Sequence, residues 1–325
     1  MLIRPELQAL RSDDAPQREA QAALHVILQD WRYKGPGRAI EAELIAWGAG
    51  EPLDDQPSLR AMFDPDADGL CDLADGLLRP LLQQMATEPL SQSPLRYTTG
   101  DAYTSLVLAR HGTTILSIQC VDSNGLARTP RPTTASFLPA ETWERALSGS
   151  AEALLVQAHA HMPGKAELEC TQIAIAAGEV RHRIGNAQAV LFTAASGSLV
   201  QLRLQRRTSA VDPVREYRLS DGCLVHQAAG TPRDSRLELT AALLGRMKRR
   251  DAAPMLAAMV EEHGSESLRW QSLRECLALD VAVGFPALCK LAEREGDPLQ
   301  QPAEVLRAQL LARHPELKEL SPCPA

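Results

Sequence analysis

The sequence predicts an α+β chain of several domains. Helices run to residue 92, an antiparallel β-sandwich or open barrel spans 93–232, and an antiparallel array of helices fills 233–325. Three observations predict this. Apolar residues recur at helical spacing before residue 90 and again after residue 234. Between these regions, short runs of Thr, Val, Ile and Leu alternate with Gly-containing turns. Aromatic residues are only 4% of the chain, so the cores rest on Leu, Ala, Val and Met, and Leu and Ala favour helices.

Taken in order, Gln17–Trp31 sets Ala22, Leu24, Val26, Ile27 and Trp31 at helical spacing, and the KGPG at 34–37 stops it. Arg38–Gly48 carries Ile40, Leu44, Ile45 and Trp47 on a second helix, and Pro57–Phe63 is a short third. Leu73–Met85 contains Gly76 and Pro80, which should kink or divide a fourth. The polar stretch Pro89–Pro94 marks the first boundary.

In the β region four hairpins are expected. Leu106–Arg110 and Thr114–Val121 flank His111-Gly112-Thr113, and Leu168–Ala176 and Val180–Ile184 flank Ala177-Gly178-Glu179. Ala189–Thr193 and Leu199–Leu204 flank Ala194–Ser198, and Glu216–Leu219 and Cys223–His226 flank Ser220-Asp221-Gly222. Pro139–Leu147 reads as a short helix with Thr142–Glu144 partly facing solvent, and Asn124–Thr134 reads as a loop. After residue 234, helices are expected over Asp234–Lys248, Asp251–Glu262, Ser265–Leu279, Asp280–Arg294 and Pro302–Arg313. Their short linkers make neighbours antiparallel, because no single helix can bury its own apolar face.

The formal net charge of −7 repels phosphate backbones on average. The basic runs Arg203-Arg206-Arg207 and Arg246-Lys248-Arg249-Arg250 lack interleaved aromatics and read as solvated surface, so no nucleic acid is expected. Seven cysteines without a CxxC indicate neither a zinc site nor a disulfide framework. No signal-peptide core and no stretch of 18 apolar residues is seen, so no membrane span is expected and a reducing cytoplasm fits.

Two C-terminal segments, DAAPMLAAM from Asp251 and DVAVGFPALCKLA from Asp280, share a form: an Asp, small residues, a Pro and an apolar face. This resembles the HEAT-like helical repeat, which implies a short solenoid of stacked helix pairs.

His159-Ala160-His161 places two imidazoles on one side of a strand, with Glu167, Glu169 and His182 beyond. The set resembles the cupin family of β-sandwich proteins. The resemblance implies His159, His161, a carboxylate at Glu167 or Glu169, and His182 as ligands to Fe, Zn or Mn. Structural histidines remain the other reading.

Asp64 to Asp75 resembles the EF-hand calcium loop. Asp64, Asp66, Asp68 and Asp72 stand at its carboxylate positions, Gly69 at its turn and Asp75 at its last position. The other reading is an acidic turn that caps the next helix. No Walker loop, GxSxG, GxGxxG or HExxH occurs. On the helix Ser265–Leu279, Arg269, Trp270 and Arg274 combine side chains common at binding surfaces, though Trp270 can equally be core.

The expected function is therefore a non-enzymatic protein-binding or scaffold role, without a cofactor, in a homodimer or with a protein partner. The alternatives are a metal-dependent cupin-like oxygenase or isomerase and a calcium-binding module.

Overall fold

The computed structural model describes residues 8, 10–88, 90–162, 164–208, 212–262 and 264–320, and only the backbone of 160–162. The chain forms two compact units. One holds the described residues of Met1–Thr208 and Tyr217–Cys223, the other those of Ser209–Glu216 and Leu224–Ala325.

The first unit opens with helices α1 (Ala15–Lys34), α2 (Gly37–Gly48), α3 (Pro57–Met62), α4 (Gly69–Leu73) and α5 (Arg79–Thr87). A π turn at Ala74–Leu78 joins α4 to α5, with the Arg79 N–H donating to the Ala74 carbonyl. The division expected from Gly76 and Pro80 takes this form. Pro80 has no N–H for the turn behind it, and its ring crowds the carbonyl four residues back, so the helix widens before it resumes.

The strands are β1 (Tyr97–Thr99), β2 (Tyr103–His111), β3 (Thr114–Asp122), β4 (Thr134–Phe137), β5 (Ala140–Met162), β6 (Lys165–Ala176), β7 (Val180–Ile184), β8 (Gln188–Arg207), β9 (Val214–Arg218) and β10 (Leu224–Ala228). One antiparallel sheet runs in the order β1-β2-β3-β8-β5-β6, with β7 also on β5. The β2–β3 hairpin forms where the sequence places it, pairing His111 with Thr114.

Four local expectations are corrected. Pro139–Leu147 is no helix: from Ala140 it is the start of a 23-residue strand, paired on one edge with β7 and on the other with β8. Two flanking ladders outweigh the helical lean of its Ala and Glu residues. The stretch Ala194–Ser198 is no turn, because Ala194, Ala195 and Ser196 pair with Glu152, Ala151 and Ser150 inside the 20-residue β8. Nor do β6 and β7 form a hairpin. Both run along the same edge of β5, Ala176 opposite Ser150 and Val180 opposite Arg145. The expected turn at Ala177-Gly178 does form, with Gly178 at φ +88° and the Glu179 N–H donating to the Ala176 carbonyl, but it joins two strands on one edge, and Ala146 exchanges backbone hydrogen bonds with Gly178 and Glu179 across it. Finally, Asn124–Thr134 is not all loop. A helix α6 (Ser123–Arg128) begins there, its Gly125 N–H donating to the Asp122 carboxylate at 2.7 Å.

Strand alternation gives the sheet two chemically different faces. On one, Leu108, Leu116, Leu202 and Leu204 share a core with Leu24, Leu28, Trp31, Ile40, Leu44, Trp47, Leu59 and Met62 of the helices. Each fully buried Leu or Ile stabilises by roughly 1.5–3 kcal/mol. The N-terminal helices are thus one face's cover. The opposite face carries Thr142, Glu144, Ser117 and Gln201, all buried although polar.

The second unit contains α7 (Pro232–Arg246), α8 (Ala253–Glu261), α9 (Glu266–Leu279), α10 (Val281–Ala292) and α11 (Gln300–Arg313). Thr231 caps α7 by accepting from the Asp234 N–H at 3.0 Å, and Asp280 caps α10 by accepting from Ala282 at 2.9 Å. Helix α9 packs on α7, α8 and α10, and α10 packs on α8 and α11. Their core holds Val260, Leu273, Phe285, Leu288, Leu291 and Ala303.

Candidate functional site

The histidine set is spread along β5. His159 is exposed, and its Nε2 lies 2.8 Å from Glu169 Oε2 across the β5–β6 pair. His182 sits on β7 opposite Trp143, stacked on that ring at 4.4 Å and 3.0 Å from Glu141 Oε1. Trp143 and His159 are sixteen positions apart in β5, which is roughly 50 Å of strand at ~3.3 Å per residue. Glu167 lies opposite Ala160 in the ladder, and the His161 side chain falls outside the described residues. His159 and His182 therefore do not converge. Among the described residues no group of three or more His, Cys, Asp or Glu side chains is placed to hold a metal ion.

The acidic loop has a different centre from the one its spacing suggests. The Arg145 guanidinium enters it from β5 and donates to the carbonyls of Met62 and Asp64, both at 2.9 Å, and of Pro65 at 3.4 Å. Asp64 Oδ1 accepts from the Asp66 N–H, and Asp75 pairs with Arg79 one helical turn on. Asp68 stands at the start of α4, and Asp72 lies in its first turn and is exposed. Gly69 is required by close approach: a Cβ there would stand 2.7 Å from the Ala61 carbonyl carbon and 2.8 Å from the Met62 nitrogen.

On α9 the three contact candidates separate. Arg269 is buried and holds the fold together. It donates to the Val260 carbonyl and grips Asp297 with two bonds, at 3.2 and 2.5 Å. Trp270 packs against the helical core and lines a shallow hollow with Pro302 and Val305. Arg274 is exposed.

The most developed polar constellation lies on the buried polar face of the sheet. Three strands place Arg181, Glu144 and Arg203 side by side, since Glu144 is opposite Arg181 on β7 and Arg203 on β8. Arg183, two residues along the same face, closes on Glu144 with two hydrogen bonds, at 3.0 and 3.3 Å. Arg203 Nε is 3.6 Å from the carboxylate and the Arg181 Nη2 3.9 Å. Burial by itself would raise the Glu144 pKa, but the three guanidiniums outweigh it and hold the carboxyl below its ordinary range. Burial lowers the pKa of Arg203, with Glu144 opposing.

These groups front a cavity of about 480 Å³, within the usual size range of small-molecule sites. Glu144, Arg183, Arg203, Gln119 and Gln201 form its charged end. Tyr103, Leu138, Val190 and Phe192 line the rest, with Thr134 and Ser136 of β4 across from them. The Tyr103 and Phe192 rings meet at 6.3 Å, and partial burial raises the Tyr103 phenol. Gln201 donates to Gln119 Oε1 at 3.1 Å. Its own Oε1 and the Nε of Arg203 are buried without a hydrogen-bond partner.

The linear pattern concealed this site. Glu144 was expected on a helix and partly facing solvent, and Arg203 in a solvated basic run. The alternation of β8, with Gln201, Arg203 and Gln205 between Val200, Leu202 and Leu204, is the signal that finds the polar face once β8 is read as one strand.

No family model and no curated protein matches the sequence. Among solved structures, the chain is similar to the CENP-C cupin domain of Drosophila melanogaster, with TM-score 0.27 and 6% identity over 34% of this chain and 75% of that one. It is also similar to a sugar phosphate isomerase of the cupin superfamily from Silicibacter pomeroyi, with TM-score 0.24 and 11% identity over 39% and 77%. A third is CapF with the inhibitor 3-isopropenyl-tropolone, with TM-score 0.26 and 11% identity over 38% of this chain. The chain spans about a third of the length of CapF, 32%. Similarity at this level assigns neither a family nor an activity.

Proposed function

We propose that this chain is a non-enzymatic binding protein and that its ligand is a small molecule seated in the polar cavity of the β unit. One observation carries the reading. A sheet face borders about 480 Å³ of open space and sets Glu144, Arg183 and Arg203 beside Gln119 and Gln201 at one end of it, with an apolar lining at the other. The Arg203 side chain stays 21% exposed there, so its guanidinium can still meet a bound molecule.

The state of the charged groups supports binding over catalysis. A general acid or base works best with a pKa near the working pH. Glu144 is held below the carboxylate range with both oxygens engaged by Arg183, and Tyr103 is raised above 10.0. The test is a thermal-shift screen of neutral, cationic and anionic small molecules against wild type and Ser136→Trp, which blocks the cavity from the exposed face of β4. A ligand that raises the midpoint of wild type alone is expected. If no compound discriminates between the two proteins, the reading is lost. Near-stoichiometric iron, zinc or manganese in protein purified without added metal would instead support the metal-dependent alternative at His159 and His161.

A second reading keeps a protein partner for the helical unit. Leu239, Leu243 and Met247 form an exposed apolar strip along α7, at 70%, 58% and 57% exposure. Arg236 and Arg246 stand three residues from Leu239 and Leu243 on the same helix and so edge the strip. This chemistry fits a partner with an apolar strip edged by acidic residues. Loss of a stable complex in Leu243→Glu, measured by light scattering on material from the native source, is its check.

A further inference from the structure

We infer that the cavity ligand is an oxyanion, a carboxylate or a phosphate monoester, carried on a flat apolar body. The inference rests on the cavity-binding reading above and adds the chemistry of the ligand. Two features point to it, one at each end of the cavity.

At the charged end, cations outnumber anions. Arg183 and Arg203 line the cavity, and Arg181 stands behind them, 3.9 Å from both Glu144 and the half-exposed Glu179. Among the described residues, Glu144 is the one carboxylate on the cavity wall. Arg183 spends two of its donors on Glu144, and Arg203 makes only a long ion pair with it. At 3.6 Å that contact is too long for a hydrogen bond. The wall thus carries a net positive charge, and the Arg203 guanidinium, on a side chain 21% exposed, makes no hydrogen bond to Glu144. An oxyanion supplies the missing countercharge and accepts from planar forks of this kind. Gln119 and Gln201 are hydrogen-bonded to one another beside the guanidiniums, which leaves amide groups to orient the same headgroup.

At the other end, the lining turns apolar. Tyr103 and Phe192 present tilted rings, with Leu138 and Val190 beside them. Aromatic rings pair favourably with another ring edge-on or offset. A molecule that joins a charged head to a ring therefore matches both ends, whereas inorganic phosphate or acetate matches only one.

Calorimetric titration of the full chain with benzoate, phenyl phosphate, benzamide and inorganic phosphate tests this at constant ionic strength. Benzoate or phenyl phosphate is expected to bind at least about tenfold more tightly than benzamide, and the stronger of the two identifies the headgroup. Arg203→Gln should weaken the oxyanions about tenfold or more and leave benzamide unchanged. Phe192→Ala, at a half-buried lining position, should weaken the aromatic ligands relative to inorganic phosphate, and it serves as the site marker if Arg203→Gln does not fold. If benzamide binds as tightly as benzoate, the oxyanion inference is overturned and the cavity reading stands. If inorganic phosphate binds as tightly as phenyl phosphate, the apolar half is overturned. If oxyanion binding is indifferent to both substitutions, the assignment to this cavity is overturned. If none of the four binds and the wider thermal-shift screen is also negative, the cavity reading itself falls.

Discussion

Glu144 and Arg145 are adjacent in β5 and point to opposite faces of the same sheet. Glu144 meets Arg183, Arg203 and Arg181 on the cavity face, and Arg145 meets the Met62, Asp64 and Pro65 carbonyls on the helical face. Both side chains are buried. One dipeptide thus anchors the N-terminal helical layer and neutralises part of the cavity wall.

Removing the Glu144 charge leaves buried guanidiniums without their carboxylate. Glu144→Gln is expected to destabilise the first unit by about 3–5 kcal/mol, the usual result of breaking a buried pair on one side. Equilibrium urea unfolding measures it.

The same carboxylate gives stability a pH dependence of definite sign. Its folded pKa lies below the ordinary 4.5. Its contribution is therefore complete above 4.5 and is lost as pH falls from there through the folded value. The wild-type melting midpoint should fall across that acid window, and Glu144→Gln should fall less steeply. Equal slopes in the two proteins would contradict the assignment.

Arg145→Met removes the donors that hold the loop after α3. Three carbonyls lose a charged partner, and a loss of about 2–4 kcal/mol is expected from hydrogen bonds of this type. The same contacts bear on the calcium reading of Asp64–Asp75. With the guanidinium already bonded to two loop carbonyls, millimolar calcium is expected to leave the wild-type melting midpoint unchanged. A calcium-dependent rise would support the EF-hand reading.

In the helical unit, Arg269 and Asp297 are both nearly inaccessible, at 8% and 5% side-chain exposure. Burial alone would raise the Asp297 pKa; the bonds from Arg269 and the Leu299 N–H turn the net shift downward. Asp297→Ala should cost about 3–5 kcal/mol. A double-mutant cycle with Arg269→Met should recover part of that loss, since it removes the stranded charge.

Thiol chemistry provides a check on the fold that needs no mutation. Burial pushes the Cys276 thiol up to about 11, while Cys71 and Cys170 are exposed. Brief alkylation near pH 8 should label Cys71 and Cys170 and spare Cys276 and Cys289 until denaturant is added, as read by peptide mass spectrometry.

Most helices were legible because their signal is local. Leu24, Leu28 and Trp31, or Leu288 and Leu291, repeat at a spacing that marks one helix face whatever packs against it. The β2–β3 hairpin was legible because Gly112 permits a tight turn between two apolar runs. Glycine at 178 and 197 looked the same. Gly178 makes a true turn, but between two strands that both pair with β5 and not with each other, and Gly197 lies in a strand that continues; only the partner strand β5 distinguishes these from a hairpin turn.

The candidate site depended wholly on that partner. Composition and periodicity by themselves determined the helical beginning and end, the antiparallel β centre, and the apolar stripes that build the cores. Tertiary structure alone decided that Glu144, Arg181, Arg183 and Arg203, spread over sixty residues of chain, stand side by side. The reason is physical: periodicity reports which face of an element is apolar, but charge pairing across strands depends on register, and register is set by neighbours distant in sequence.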